Sequence, residues 1–187
     1  MKGIIFTHLE SMVDSVMGAH AWQRVVAETE LRTTEGYFVG PRNYPDEDLF
    51  ALVATASRLS GTPVDELVHA FGRFLFAPLA RAFPGFIRPE MTSKSFLMTV
   101  DRVIHIEVRK LHPDALLPTI RYEDPAGDRL ILLYQSPRRL CQLAIGLIEG
   151  TAAHFHERVT CEHTRCMKQG SDHCRFECTF EVDARDG

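Results

Sequence analysis

The apolar pattern of this chain changes period near residue 118, and that change limits the fold more than any other feature. Before it, hydrophobic residues recur at three- and four-residue spacing, the mark of helices packed by one face; beyond it, short runs alternate, the mark of half-buried strands. Ile5, Leu9, Met12, Val13 and Val16 give a helix over 4–17 that stops at Gly18. A second helix is expected over 20–31 and a loop over 35–44, where Gly36, Gly40, Pro41 and Asn43 fall together. Pro45 and Gly61 bracket a helix over 46–59, and another is expected over 64–83 with a break or kink at Pro78. After a loop over 84–92, residues 93–111 form the cleanest helix, with Phe96, Leu97, Val100, Val103, Ile104, Val108 and Leu111 on one face.

The second regime predicts a hairpin of strands 119–123 and 128–136, turning at Asp124-Pro125-Ala126-Gly127. A helix follows over 138–157, then strands over 159–166 and 173–182. In the last strand Cys174, Phe176, Cys178, Phe180 and Val182 alternate with polar residues. The expected class is α+β, an N-terminal helical part plus a C-terminal antiparallel sheet crossed by a long helix.

Composition narrows the function. At 187 residues the chain is one domain's length, and its 45% hydrophobic content can fill a core. The net charge of -4, with basic residues scattered among acidic ones, argues against nucleic acid as a partner. No stretch approaches the ~18 to 20 apolar residues that cross a bilayer, and Met1 to Leu9 is too short and polar for a secretory signal. A cytoplasmic protein with no membrane partner is expected. Its five cysteines then read as thiols or metal ligands before disulfides. No nucleophile stands at a recognisable spacing from a base, and there is no Gly-rich phosphate loop, so an enzyme is not expected.

Two features further suggest a cofactor. His105 borders the apolar stripe of the helix over 93–111. Periodicity does not separate it from His112, two turns on, and most histidines so placed are core or surface residues. Tyr134-Gln135-Ser136-Pro137-Arg138 closes a strand and turns. Residues two apart on a strand share a face, so Tyr134 and Ser136 aim two hydroxyls at one place, and Arg138 adds a planar fork suited to carboxylates.

These residues carry a resemblance. Val100-Asp101-Arg102-Val103-Ile104-His105, followed by Pro113 and Pro118, resembles the histidine helix of the H-NOX family, the haem-nitric oxide/oxygen-binding domains. The Tyr-x-Ser-x-Arg run resembles that family's propionate-binding signature. Met1-Lys2-Gly3 and Gly146-Leu147-Ile148-Glu149-Gly150 extend the likeness over nearly the whole chain. The resemblance implies a haem b lying between a distal helical subdomain, residues 1–62, and a proximal part, residues 63–187. It implies His105 on the iron, Tyr134, Ser136 and Arg138 on the propionates, and Pro118 against the haem plane. Asp46 corresponds to a family acid that pairs with the arginine.

The family divides by its distal pocket, because bound dioxygen carries partial negative charge and gains from a hydrogen-bond donor, whereas nitric oxide gains little. Leu143 stands at the position of the tyrosine found in dioxygen-binding members, and Leu9 and Leu75 at the supporting positions; Ile5 and Leu147 belong to the same pocket. The resemblance therefore implies a sensor of nitric oxide and carbon monoxide with no stable dioxygen complex. Nitric oxide binding weakens the bond to His105, and the change passes in trans to a sensor histidine kinase or a diguanylate cyclase or phosphodiesterase.

The cysteines need a local account. His163, Cys166, Cys174 and Cys178 offer four ligands within 16 residues, a credible tetrahedral zinc set, and several bacterial H-NOX proteins carry a similar one. Cys174 and Cys178 would stand about 13 Å apart in one regular strand, at ~3.3 Å per residue. Sharing an ion would thus require a bulge, a turn or a later strand start. Cys161 is the reserve ligand, and Cys141 is expected in the core. Two alternatives remain: a haem-free small-ligand module of the related four-vinyl-reductase type, and a zinc-thiol redox sensor.

Overall fold

The computed structural model describes residues 1–33 and 36–182. Glu35, where the loop over 35–44 was expected to begin, lies outside them, as does the side chain of Val182. The chain divides into two compact units, Met1–Phe71 and Gly72–Gly187. The division falls inside the helix that spans Val64–Ala82.

The first unit is helical. Helix α1 (Gly3–Met17) buries Phe6, Leu9, Met12 and Val13, as its spacing predicts. Val16, expected on that stripe, is 71% exposed. Helix α2 (Ala21–Ala27) is shorter than expected and inserts Trp22 and Val25. Helix α3 (Asp46–Ser60) begins after Pro45 with three acids in its first turn, which suits the positive end of its dipole. It ends at Gly61 (φ 73°), whose amide donates to Ser57 at 2.9 Å. Asp48 is buried yet satisfied: its carboxylate accepts from the Arg32 amide at 2.9 Å and the Thr33 hydroxyl at 2.8 Å.

Helix α4 (Val64–Ala82) runs through Pro78 without ending there, because one missing donor does not outweigh the apolar contacts of Leu75 and Phe76. The single helix expected over 93–111 is three pieces: α5 (Ser93–Leu97), a π-helical turn over Val100–Ile104, and α6 (His105–Leu111). The physical cause is a tertiary contact. The Asp101 amide leaves the helical ladder and donates to the Tyr122 hydroxyl at 3.3 Å, while Ile104 donates five residues back to Thr99 at 3.1 Å. The piecewise path turns Val103 and Leu111 outward, 45% and 70% exposed, although the spacing placed them on the buried face.

The sheet is antiparallel, ordered β1-β2-β4-β3, with β1 (Thr119–Ala126), β2 (Arg129–Gln135), β3 (Glu157–Arg165) and β4 (Cys174–Val182). Strand β1 continues through the expected turn as far as Ala126, with a register irregularity after Glu123. Pro125 is tolerated there because β1 is an edge strand, where a missing amide donor leaves no neighbour unpaired. Helix α7 (Cys141–His154) packs on β3 and β4 and closes the core formed by Leu130, Leu132, Tyr134, Ile145, Ile148 and Phe176. It starts later than expected because residues 136–139 are spent on a tight turn, Arg139 (φ 50°) donating to the Ser136 carbonyl at 3.1 Å.

Helices α4 and α7 meet backbone to backbone within the second unit. A methyl group on Gly72 would lie 2.4 Å from the Leu143 carbonyl oxygen, and one on Gly150 would lie 2.8 Å from the Arg73 carbonyl oxygen. Only glycine permits that approach.

Candidate functional site

His105 opens α6 immediately after the π turn, with its side chain 12% exposed. Its Nδ1 lies 3.4 Å from the Asp101 carboxylate. Burial holds the imidazole below its ordinary pKa, against the opposing pull of Asp101 and of the Pro118 carbonyl, so a neutral ring is the favoured form. Nδ1 faces the Asp101 carboxylate, and the Nδ1–H tautomer that suits this contact leaves the lone pair on Nε2, the form a metal ligand requires.

The three clamp residues lie where β2 ends. Tyr134 and Ser136 are both buried, on the shared face that their spacing predicts. The Tyr134 ring packs on Phe176, and burial raises its hydroxyl's pKa while a hydrogen bond with Ser136 opposes that rise. The Ser136 hydroxyl also accepts from the Arg138 amide at 3.3 Å, and the Arg138 guanidinium donates to the Leu116 carbonyl, in the segment leading to Pro118. Register links this group to His105: Ile120 of β1 pairs with Tyr134, and the Ile120 amide donates to Asp101 at 3.2 Å. Two hydroxyls and a guanidinium at a strand end, tied to a neutral imidazole, form a donor set that fits haem: one nitrogen for iron and several donors for two carboxylates.

Leu75 is buried on α4, and Leu143 and Leu147 are half-buried on α7. In the first unit, Leu9 is fully buried and Ile5 partly so. Asp46 accepts from the N-terminal ammonium of Met1 at 2.8 Å.

A second cluster lies on the sheet. Ligand atoms of Cys141, His163, Cys166 and Cys174 all fall within 4.8 Å of one another. A tetrahedral zinc with ~2.3 Å bonds to sulfur needs ligand atoms about 3.8 Å apart, so a small contraction suffices. His163 Nε2 is buried and has no hydrogen-bond partner among the described residues, which is the state of a nitrogen awaiting an ion. The Met167 amide donates to Cys174 Sγ at 3.3 Å, and Gly170 (φ 92°) turns the loop between Cys166 and Cys174. The donor set fits zinc.

This corrects the expected ligand set. Cys178 is not in the cluster: β4 begins at Cys174 and runs regularly, so the two cysteines stand about 13 Å apart at ~3.3 Å per residue. Cys178 instead faces Cys161, its direct cross-strand partner, with the sulfurs 3.3 Å apart. Neither completes the site. The fourth member of the cluster is Cys141, which is buried and comes from the first turn of α7. Its distance in sequence from the other three hid it from spacing arguments. Asp101 was also missed as a partner of His105, although its i-4 position was the available signal.

Comparison with known proteins matches the family described as haem-NO-binding over residues 2–163. Among solved structures, the chain is similar to an H-NOX protein from S. oneidensis in the Fe(II)NO ligation state, with 34% identity, 97% of this chain and 99% of that one covered, and a TM-score of 0.89. It is similar to the H-NOX domain from Shewanella oneidensis in the Fe(II)CO ligation state, with 34% identity, 97% and 99% covered, and a TM-score of 0.87. It is also similar to the Fe(II) unliganded H-NOX protein from K. algicida, with 25% identity, 98% of each chain covered and a TM-score of 0.85.

Proposed function

Given that the chain belongs to the haem-NO-binding (H-NOX) family of haem-based gas sensors, we propose that it senses nitric oxide through a ferrous haem b held by His105. The observation that carries this reading is the neutral, buried His105 tied through Asp101 and Ile120 to the strand that bears Tyr134. Haem, when bound, would supply an iron that takes nitric oxide or carbon monoxide. His105 offers Nε2 to the iron. Tyr134, Ser136 and Arg138 would bind the carboxylates, and Pro118, next to the strand that anchors Asp101, would pack against the group. Ile5, Leu9, Leu75, Leu143 and Leu147 supply no hydrogen-bond donor, so bound dioxygen would gain no stabilisation and nitric oxide is favoured.

The response is carried by α6 and the π turn before it, a segment with no fully buried side chain and therefore free to shift. The exposed Val103, Ile106 and Leu111 on that segment support a partner that reads the shift, which we take to be a sensor histidine kinase or a cyclic-di-GMP cyclase or phosphodiesterase acting in trans. Cys141, His163, Cys166 and Cys174 hold a zinc ion that joins α7 to the β3–β4 loop. No helix among the described residues is long and apolar enough to cross a membrane.

The test is spectroscopic. The reduced protein should show a Soret band that shifts with nitric oxide, keeps its form in air, and is lost in His105→Gly until free imidazole is added. A stable oxy spectrum would overturn the dioxygen exclusion. An unchanged spectrum in His105→Gly would overturn the assignment of the ligand.

A further inference from the structure

Asp101 holds three connections at one place in the second unit. Its Oδ1 lies 3.4 Å from His105 Nδ1 and accepts from the Ile120 amide at 3.2 Å. Its own amide donates to the Tyr122 hydroxyl at 3.3 Å. Its neighbour Arg102 places a guanidinium 5.9 Å from the centroid of the Tyr122 ring. The residue stands in the π turn, where the helix has already left its regular ladder. Ile120 pairs with Tyr134, and Ser136 follows two residues on. A continuous path therefore runs from His105 through Asp101 and β1 to the clamp on β2.

We propose that Asp101 is the positioning residue of this sensor: it orients the His105 imidazole and carries displacement of that ring to the strands that hold the clamp. The proposal rests on the reading of His105 as the iron ligand. A carboxylate that accepts from Nδ1–H fixes one tautomer, leaves the lone pair on Nε2, and raises that nitrogen's donor strength. The Pro118 carbonyl is a second, neutral acceptor facing the same ring, so loss of Asp101 weakens the orientation without abolishing it. The mechanical part follows from geometry. The same carboxylate oxygen serves both His105 and Ile120, so the ring cannot move away without loosening or pulling the start of β1.

The experiment compares the full chain with Asp101→Ala and Asp101→Asn, each first checked for a native-like amide spectrum. In the haem-free protein, long-range nitrogen–proton correlation reads the His105 tautomer. The wild type should show Nδ1–H alone, Asp101→Ala a mixture of both tautomers, and Asp101→Asn, whose side-chain carbonyl can still accept, the wild-type pattern. In the ferrous protein, the iron–histidine stretching frequency should fall in Asp101→Ala and fall less in Asp101→Asn. On addition of nitric oxide, the amides of Ile120 and Tyr134 should shift in the wild type and remain still in Asp101→Ala, although both proteins show the Soret change. An unchanged tautomer and stretching frequency in Asp101→Ala would overturn the positioning role, and equal amide shifts in the two proteins would overturn the coupling. The His105→Gly experiment is separate: retention of its spectrum defeats the ligand assignment, while the tautomer measurement on haem-free protein still judges the link between Asp101 and His105.

Discussion

At the scale of single residues, chemistry here is set by what each side chain is buried against. Burial and the nearby Cys166 and Cys174 push the Cys141 thiol up to about 12, and burial also raises Cys174. Both thiols are therefore protonated in the metal-free protein, and zinc must displace their protons on binding. Zinc uptake should weaken as pH falls, and Cys141→Ser should lose stoichiometric zinc by elemental analysis while Cys178→Ser keeps it. The reverse result would restore the set read from sequence. Cys178 offers no comparable site: its thiol is raised chiefly by the hydrogen bond with Cys161, with burial adding to it.

Elements meet here by close backbone approach as well as by side-chain packing. Helices α4 and α7 cross where Gly72 faces the Leu143 carbonyl and the backbone of Gly146. Gly72→Ala brings two opposed effects. Alanine improves helix propensity by roughly 0.5–1 kcal/mol, but its methyl would sit 2.4 Å from a carbonyl oxygen that belongs to a helix and cannot swing aside. The clash should win, at about 1–3 kcal/mol of lost stability for an overpacked contact. Urea unfolding measures this directly, and a wild-type midpoint would mean that the two helices separate without strain. How far the elements could be read from sequence followed the same division. The apolar spacing with Gly18 gave the extent of α1 nearly correctly, and Pro45 and Gly61 gave that of α3, because these start and stop signals are local. Residues 93–111 carried an equally clean stripe, yet the helix breaks there, because Tyr122, distant in sequence, takes the Asp101 amide.

For the molecule as a whole, Arg175 ties the inner strand β4 to the edge strand β1 across β2. Its guanidinium reaches Glu123 of β1 with two contacts at 3.1 and 3.0 Å and Glu177 of β4 with one at 3.0 Å. Hydrogen bonds from Arg175 hold both carboxyls below their ordinary value of 4.5. A carboxyl depressed in the folded state favours folding above its unfolded pKa, and that contribution disappears as pH falls through the depressed value. Thermal midpoints should therefore drop on acidification below about pH 4.5, the ordinary carboxylate range. Arg175→Met should melt lower than the wild type at pH 7, with the gap narrowing as acid is added. A gap that stays constant with pH would show that the loss comes from packing of the arginine stem instead.

The sequence by itself determined the α+β class, the order of the strands along the chain, the shared face of Tyr134 and Ser136 and three of the four members of the sulfur and nitrogen cluster. Each of these depends on residues close together in the chain, whose relative directions are fixed by the period of a strand or the reach of a turn. It even contained the objection to Cys174 and Cys178 sharing an ion, since the rise of a strand is a local constant. Only the tertiary structure decided that Cys141 completes the cluster, that Asp101 ties His105 to β1, and that the histidine helix breaks before its ligand. Those outcomes depend on which distant backbone or side chain satisfies a given buried donor, and no local period encodes that choice.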